Sequence, residues 1–275
     1  GIGYYPCLDS TRAEILSNCR KALVHAQMLP YPRIASFDSQ TLTISGDRFY
    51  AHGDLPAACK EYGLALVLDP ENTTARNSLG ICLARLGQID RAAAEFQEVL
   101  RLEPENCLAR YNLGYVSLKT GNRKKGVASF RKCLELDPDH VFSLLRLGLL
   151  AEEEHDLEQA GTYYRQAITI PEGKKHAYRL LGKLAISKGE LEQGRTSLQK
   201  ALTHNPQDAE TMHILARLYS EDGQDLEIAE SLARKSSALR PERFDFVELL
   251  DSILRRQGKP EQARLLWGGR TWPAP

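Results

Sequence analysis

Residues 78–104 read SLGICLARLGQIDRAAAEFQEVLRLEP. Leu79, Gly80 and Leu83 fall on one face of a helix with 3.6 residues per turn. Gly87 then ends that helix, because glycine reaches a left-handed backbone without a side-chain clash. Ala92, Phe96 and Val99 repeat the three-and-four spacing in a second helix. Pro104 blocks its continuation. The stretch predicts two antiparallel helices joined by a short turn.

The same pattern recurs along most of the chain. Pro70, Pro104, Pro138, Pro206 and Pro241 are separated by 34, 34, 68 and 35 residues. Gly46, Gly80, Gly114, Gly148 and Gly182 are each 34 apart. A second glycine column follows at Gly53, Gly87, Gly121, Gly189 and Gly223, and Gly258 continues it after a slip of one residue. A fixed period of this length marks stacked supersecondary units. The second helices carry Ala58, Ala92, Gly126, Ala160, Gly194, Ala229 and Ala263, predicted to face the first glycine column. The bulky column Tyr62, Phe96, Phe130, Tyr164 and Leu198 is predicted to fill the space between neighbouring units. One hairpin cannot bury these groups, so stacking supplies the core.

These columns resemble the tetratricopeptide repeat, from Ser39 to Gly269. Seven units are predicted to begin near Ser39, Thr73, Cys107, Val141, Lys175, Ala209 and Phe244. The resemblance implies an all-α, right-handed superhelical solenoid of helical hairpins. Departures from the pattern predict local changes in hairpin angle. They are Ser45 where other units have leucine, His155 at a turn glycine position, Pro171 one residue early, one extra residue between Gly223 and Ala229, and Asp251 in the small column.

In such a solenoid the first helices line a concave groove. The candidate partner-binding residues are Asn77, Ile81 and Arg85, then Tyr111, Asn112, Tyr115 and Lys119, then Phe142, Leu145, Arg146 and Leu149. Arg179, Lys183 and Arg217 follow, with His176 and His213 beside them. The middle of the groove is aromatic and aliphatic and the later part basic. That composition fits a protein or peptide segment carrying apolar anchors and acidic residues. Family members that grip chaperone tails use a lysine and asparagine pair. The matching places hold Thr43 and Asp47, then Asn77 and Ile81, so that clamp is not reproduced.

The first 38 residues do not follow the repeat. Gly1 to Tyr5 reads as a short strand stopped by Pro6. Thr11 and Glu14 have capping-box spacing. Ile15, Cys19, Ala22, Leu23 and Ala26 mark one helical face, and Pro30 and Pro32 end it. Ile34, Ser36 and Phe37 read as a second strand. With Gly1-Ile2-Gly3, Ala22-Leu23-Val24-His25-Ala26-Gln27 and Arg33-Ile34-Ala35-Ser36-Phe37, the segment resembles the C-terminal end of a bacterial GGDEF diguanylate cyclase domain. That resemblance implies a signalling protein whose catalytic residues lie outside this chain. The domains expected are therefore 1–38, 39–269 as the solenoid, and a tail at 270–275. A chain opening on glycine reads as a fragment of something longer.

Composition excludes several function classes. Thirty-six basic and 36 acidic residues give a formal charge of zero. Nucleic acid is not expected as partner, since phosphate binding needs a clustered positive surplus. No apolar run approaches the roughly 20 residues of a membrane helix, so no membrane insertion is expected. Cys7, Cys19, Cys59, Cys82, Cys107 and Cys133 show no metal or disulfide spacing, and read as small apolar residues in a reducing cytoplasm. The histidines lack metal-site spacing and read mostly as solvated. Glu152-Glu153-Glu154-His155-Asp156 reads as a solvated turn. No phosphate-loop, dinucleotide or nucleophile-elbow motif occurs. The expected protein is a cytoplasmic interaction scaffold with no metal, no cofactor and no enzymatic activity. Two other readings are a regulatory or localising tail of an active diguanylate cyclase and a self-association module.

Overall fold

The structure is a computed structural model and describes residues 12–30, 37–223 and 225–267. Among the described residues there are fifteen α-helices, one 3-10 turn and no strand. The chain divides into two compact units, residues 1–138 and 139–275.

The first unit holds α1 (Arg12–Met28), α2 (Ser39–Ala51), α3 (Leu55–Leu68), α4 (Thr73–Arg85), α5 (Ile89–Leu102), α6 (Cys107–Lys119) and α7 (Arg123–Leu136). The second holds α8 (Val141–Glu153), α9 (Leu157–Thr169), α10 (Lys174–Ser187), α11 (Leu191–His204), α12 (Ala209–Asp222), α13 (Leu226–Leu239), α14 (Phe244–Arg256) and α15 (Pro260–Trp267). From α2 onward, consecutive helices pack in pairs as hairpins. Their first helices begin at the predicted residues, except that the fifth starts at Lys174 instead of Lys175.

Local chemistry explains these boundaries. Asp38, Asn72 and Asn106 accept the N–H of the residue three positions on, at 2.8, 2.9 and 2.9 Å. His140 does the same through Nδ1 at 3.2 Å, and Asp208 caps α12 through Thr211 at 3.3 Å. Each cap satisfies a backbone donor that the first helical turn leaves without a partner. The turn glycines behave as expected: Gly87 has φ +77°, and His155, at the equivalent place in the fourth hairpin, is forced to φ +61°. In that hairpin α9 stops at Thr169, and Pro171–Gly173 forms the 3-10 turn leading into α10.

The packing corrects one expectation. Each bulky side chain lies on the glycine of its own hairpin. A Cβ built on Gly80 would stand 2.6 Å from the Phe96 ring, and one on Gly114 would stand 2.7 Å from the Phe130 ring. Gly46 meets Tyr62, Gly148 meets Tyr164 and Gly182 meets Leu198 in the same way. The helices cross where glycine leaves room for a ring. The rings also reach the next unit: Tyr62 and Phe96 share a core with Leu79, Leu83, Leu113 and Val116. The two small columns face each other directly in the third and fifth hairpins. There Gly126 and Gly182 would place a Cβ 3.1 Å from the carbonyl oxygens of Gly114 and Gly194.

The N-terminal helix sits against the first hairpin. Ala22 and Ala26 are buried, and His25 Nδ1 lies 2.9 Å from Thr41 Oγ1. Lys21 Nζ donates to Glu61 Oε1 at 2.7 Å, tying α1 to α3. The helix therefore covers an end of the stack that would otherwise expose its core. The strands expected at 1–5 and 34–37 and the cap at Thr11 fall on or next to residues outside the described ones, as does the tail at 270–275. Phe37, the one strand residue described, is in a bend.

Four of the described cysteines lie in two pairs: Cys107 and Cys133 touch, and Cys59 lies beside Cys82.

Candidate functional site

In the first unit α2 packs on α4 and α4 on α6, with no comparable packing among α3, α5 and α7. The first helices thus form the inner layer of this unit. Asn112 Nδ2 donates to Asn77 Oδ1 at 3.0 Å, joining α6 to α4. Asn77 is buried by this contact. The Arg85 guanidinium lies 5.0 Å above the Tyr50 ring, and Lys119 Nζ lies 5.6 Å above Tyr115. Ile81 and Tyr115 are half-buried beside them. Tyr111 turns its ring to Phe130, with centroids 5.4 Å apart, so it contributes to the third hairpin's core as well as to the inner layer. The places of the chaperone-tail clamp are used internally. Asp47 accepts from the Tyr62 hydroxyl at 2.7 Å, and Thr43 donates to the Ser39 carbonyl at 2.8 Å.

In the second unit the apolar candidates separate. Phe142 is 55% exposed and Leu149 half-buried, whereas Leu145 is buried and belongs to the core. Arg146 is half-buried. Of the basic candidates, Arg179 and Lys183 lie at the junction of α10, α12 and α14, and Arg217 does not line the recess there. His176, Arg179, Lys183, Asp208, Glu210, Arg240, Arg243 and Phe246 line much of a recess of about 460 Å³. Four cations and two carboxylates line it, and Glu242 and Asp245 beside it pair with Arg240 at 3.3 Å and Arg243 at 2.7 Å.

Those cations are not equivalent. Arg179 Nη1 donates to both carboxylate oxygens of buried Asp208, at 2.9 and 3.2 Å. The same carboxylate accepts from the Thr211 hydroxyl at 2.9 Å and caps α12. Arg179 therefore braces the α12 cap as well as lining the recess. Arg243 is pinned by Asp245 at 2.7 Å and reaches Glu210 at 3.3 Å, with its guanidinium 4.5 Å above Phe246. Lys183 is exposed and has no ion-pair partner among the described residues. It also borders a second recess of about 290 Å³ that it shares with Arg217, Ile186, Ile214 and Glu221. Arg240 and Arg243 were absent from the sequence-derived set. They sit in and beside the turn before α14, where helical periodicity gives no signal.

Two histidines depart from the solvated reading. His213 is buried and stacks on Phe246 with centroids 4.3 Å apart, and Arg217 lies 3.2 Å from its Nε2. Burial and the Arg217 charge hold its pKa below the usual value, against Asp245 and Glu210, which raise it. His25 is buried too. His176, half-buried, is likewise held low by burial, Lys175 and Arg179. The recess therefore owes its positive charge at neutral pH to arginine and lysine.

Residues 45–106 match a tetratricopeptide repeat model, and residues 109–140 and 143–173 match a second one. The chain carries tetratricopeptide repeats. Repeats of this kind generally mediate protein–protein interactions and bind peptides. Solved structures agree on the fold. The APC/C hetero-tetramer Cut9–Hcn1 matches with a TM-score of 0.67 at 18% identity, over 86% of this chain and 46% of that one. This chain thus spans less than half of that relative. PilF of Pseudomonas aeruginosa matches with a TM-score of 0.64 at 17% identity, over 70% and 88%. PilW, a type IV pilus biogenesis factor, matches at 0.59 and 21%, over 70% and 90%. At these identities the likeness is one of fold. No curated protein matches the sequence. Among the described residues no helix of this repeat protein is long and apolar enough to cross a membrane.

Proposed function

We propose that the chain is a non-catalytic scaffold that receives a segment of another protein, and that the recess between α10, α12 and α14 takes that segment's acidic residues. The observation behind this is Lys183, which lines the recess, is exposed and has no ion-pair partner among the described residues, next to three arginines. Exposed Phe142 and half-buried Leu149 supply apolar contacts in the same unit. In the first unit, Ile81, Tyr115 and the Asn77–Asn112 pair offer a second, less charged surface.

A peptide library selected on the immobilised chain tests this reading. Enriched peptides should combine acidic residues with an aromatic or aliphatic anchor, and their capture should fall as salt rises. Enrichment without acidic residues would contradict it. Light scattering over a concentration series should give a constant mass, since the proposed occupant is a foreign segment and not a second copy.

We read the chain as the C-terminal part of a bacterial, cytoplasmic GGDEF-containing signalling protein. Support comes from the residues Ala22 to Gln27, which fall in the last turns of α1 as that resemblance requires. The coding sequence upstream of Gly1 should then encode two glycines followed by acidic residues and phenylalanine. The chain itself should form no cyclic dinucleotide from GTP with magnesium or manganese, because it contains no such loop.

A further inference from the structure

Cys107 opens α6 and Cys133 lies near the end of α7. The antiparallel hairpin brings these residues, 26 apart in sequence, to the same end of the third repeat. Both are free thiols, and their Sγ atoms stand 2.7 Å apart. Cys107 Sγ also lies 3.1 Å from the Cys133 carbonyl oxygen, and Cys133 Sγ lies 3.4 Å from that of Cys107. A disulfide has an S–S distance of about 2.05 Å, so closure needs a sulfur movement of roughly 0.7 Å. Access to the two differs. Cys133 is fully buried, whereas Cys107 is half-buried at the helix start.

We propose that Cys107 and Cys133 form a thiol pair that a small disulfide oxidant converts to a disulfide within the third hairpin, with Cys107 reacting first as the nucleophile and Cys133 resolving. The Cys107 thiolate attacks one sulfur of glutathione disulfide. The Cys107–glutathione bond forms, the oxidant's S–S bond breaks, and one glutathione leaves and takes up the proton that Cys107 lost. Cys133 then gives up its proton and attacks the Cys107 sulfur. The protein disulfide forms, and the second glutathione leaves and is protonated. Two cysteine thiols are oxidised by two electrons while one glutathione disulfide is reduced to two thiols.

The surroundings set the pace of this exchange. Burial, the Cys133 thiol and the Asp137 carboxylate push the Cys107 thiol up to about 12, with Arg110 opposing. Only thiolate attacks, so the pair resists brief oxidation and closes under a sustained oxidising poise. The product ties the start of the first helix to the end of the second, across the open end of the hairpin.

The test uses the full chain under native conditions with excess glutathione disulfide at mildly alkaline pH. Remaining thiols are then blocked by alkylation and the chain is digested with trypsin. The expected product joins peptides 102–110 and 133–146 with loss of two hydrogens, and dithiothreitol separates them. Cys133→Ala should stop at one glutathione on Cys107. Three results in the unaltered chain would overturn the proposal. These are both cysteines recovered alkylated, a glutathione that persists on Cys107, or a bridge between Cys59 and Cys82 while this pair stays reduced.

Discussion

The first five hairpins and the seventh solve one packing problem in different ways. In hairpins one to five, a glycine on the first helix lets a large side chain of the second lie against the backbone. In the seventh, Asp251 takes the glycine's place and Trp267 that of the ring. Trp267 Nε1 donates to Asp251 Oδ1 at 2.9 Å, while Arg255 holds the same carboxylate at 2.7 Å. A large side chain on a glycine closes the inner hairpins, with a tyrosine hydroxyl bond added in the first and fourth, whereas in the last the ring itself is tied to a carboxylate. The sixth lies between these cases, with buried Ala216 and Ala233 in the two positions. A small residue is therefore needed only where a large apolar side chain must cross the first helix.

Gly114→Leu is the most severe way to strain this comparison. The Phe130 ring is fully buried and has no room to retreat. Overpacking of this kind costs about 1–3 kcal/mol, so thermal unfolding should begin at a clearly lower temperature. A melting curve identical to that of the unaltered chain would break the glycine-and-ring explanation.

Trp267→Phe should have a smaller and more local effect. It keeps an aromatic ring and removes one hydrogen bond, typically worth about 1 kcal/mol. Arg255 still satisfies Asp251, so no carboxylate is orphaned. Hydrogen exchange should quicken in α14 and α15 and stay unchanged in α2 to α7. Uniform acceleration along the chain would show that the closing bond does not act locally.

His155→Gly should give the smallest change, and a favourable one. A left-handed backbone costs a side-chain-bearing residue about 1–2 kcal/mol. The greater freedom of glycine in the unfolded chain returns about 0.4–1 kcal/mol of that. The net effect should be a slight rise in melting temperature. A fall would mean that the imidazole makes a contact outweighing its backbone strain.

These contrasts also show why some features were legible in the sequence and others were not. Turn glycines, helix starts and the ring column recur every 34 residues, and each is fixed within one hairpin. Periodicity therefore exposes them. The caps Asp38, Asn72, Asn106 and His140 recur at the same interval but differ in residue type, so a search by identity passes over them. Contacts between helices obey no such period. The Arg179–Asp208 pair links residues 29 apart, and the Cys107–Cys133 contact links residues 26 apart; neither spacing is a recognised motif. Helix rotation decides them, as it decides that Leu145 is core while Phe142 is exposed. The inner-layer candidates were legible as a set because they flank the packing columns. Which of them remain accessible depends on the ion pairs and stacking that surround each one.

The proposed interaction is tested most directly by titrating an acidic peptide recovered from the selection into the full chain. Unaltered protein should be compared with the double variant Lys183→Glu and Arg217→Glu, at low and high salt. Arg179 is left intact because its loss would orphan the buried Asp208 cap. The unaltered chain should bind with a Kd on the order of 1 μM, weakening as salt rises. The double variant should bind about tenfold or more weakly, and a peptide with lysines in place of its acidic residues should recover affinity for it. Binding indifferent to salt, to both charge reversals and to the peptide's charge would contradict an acidic segment held at the α10–α12–α14 recess.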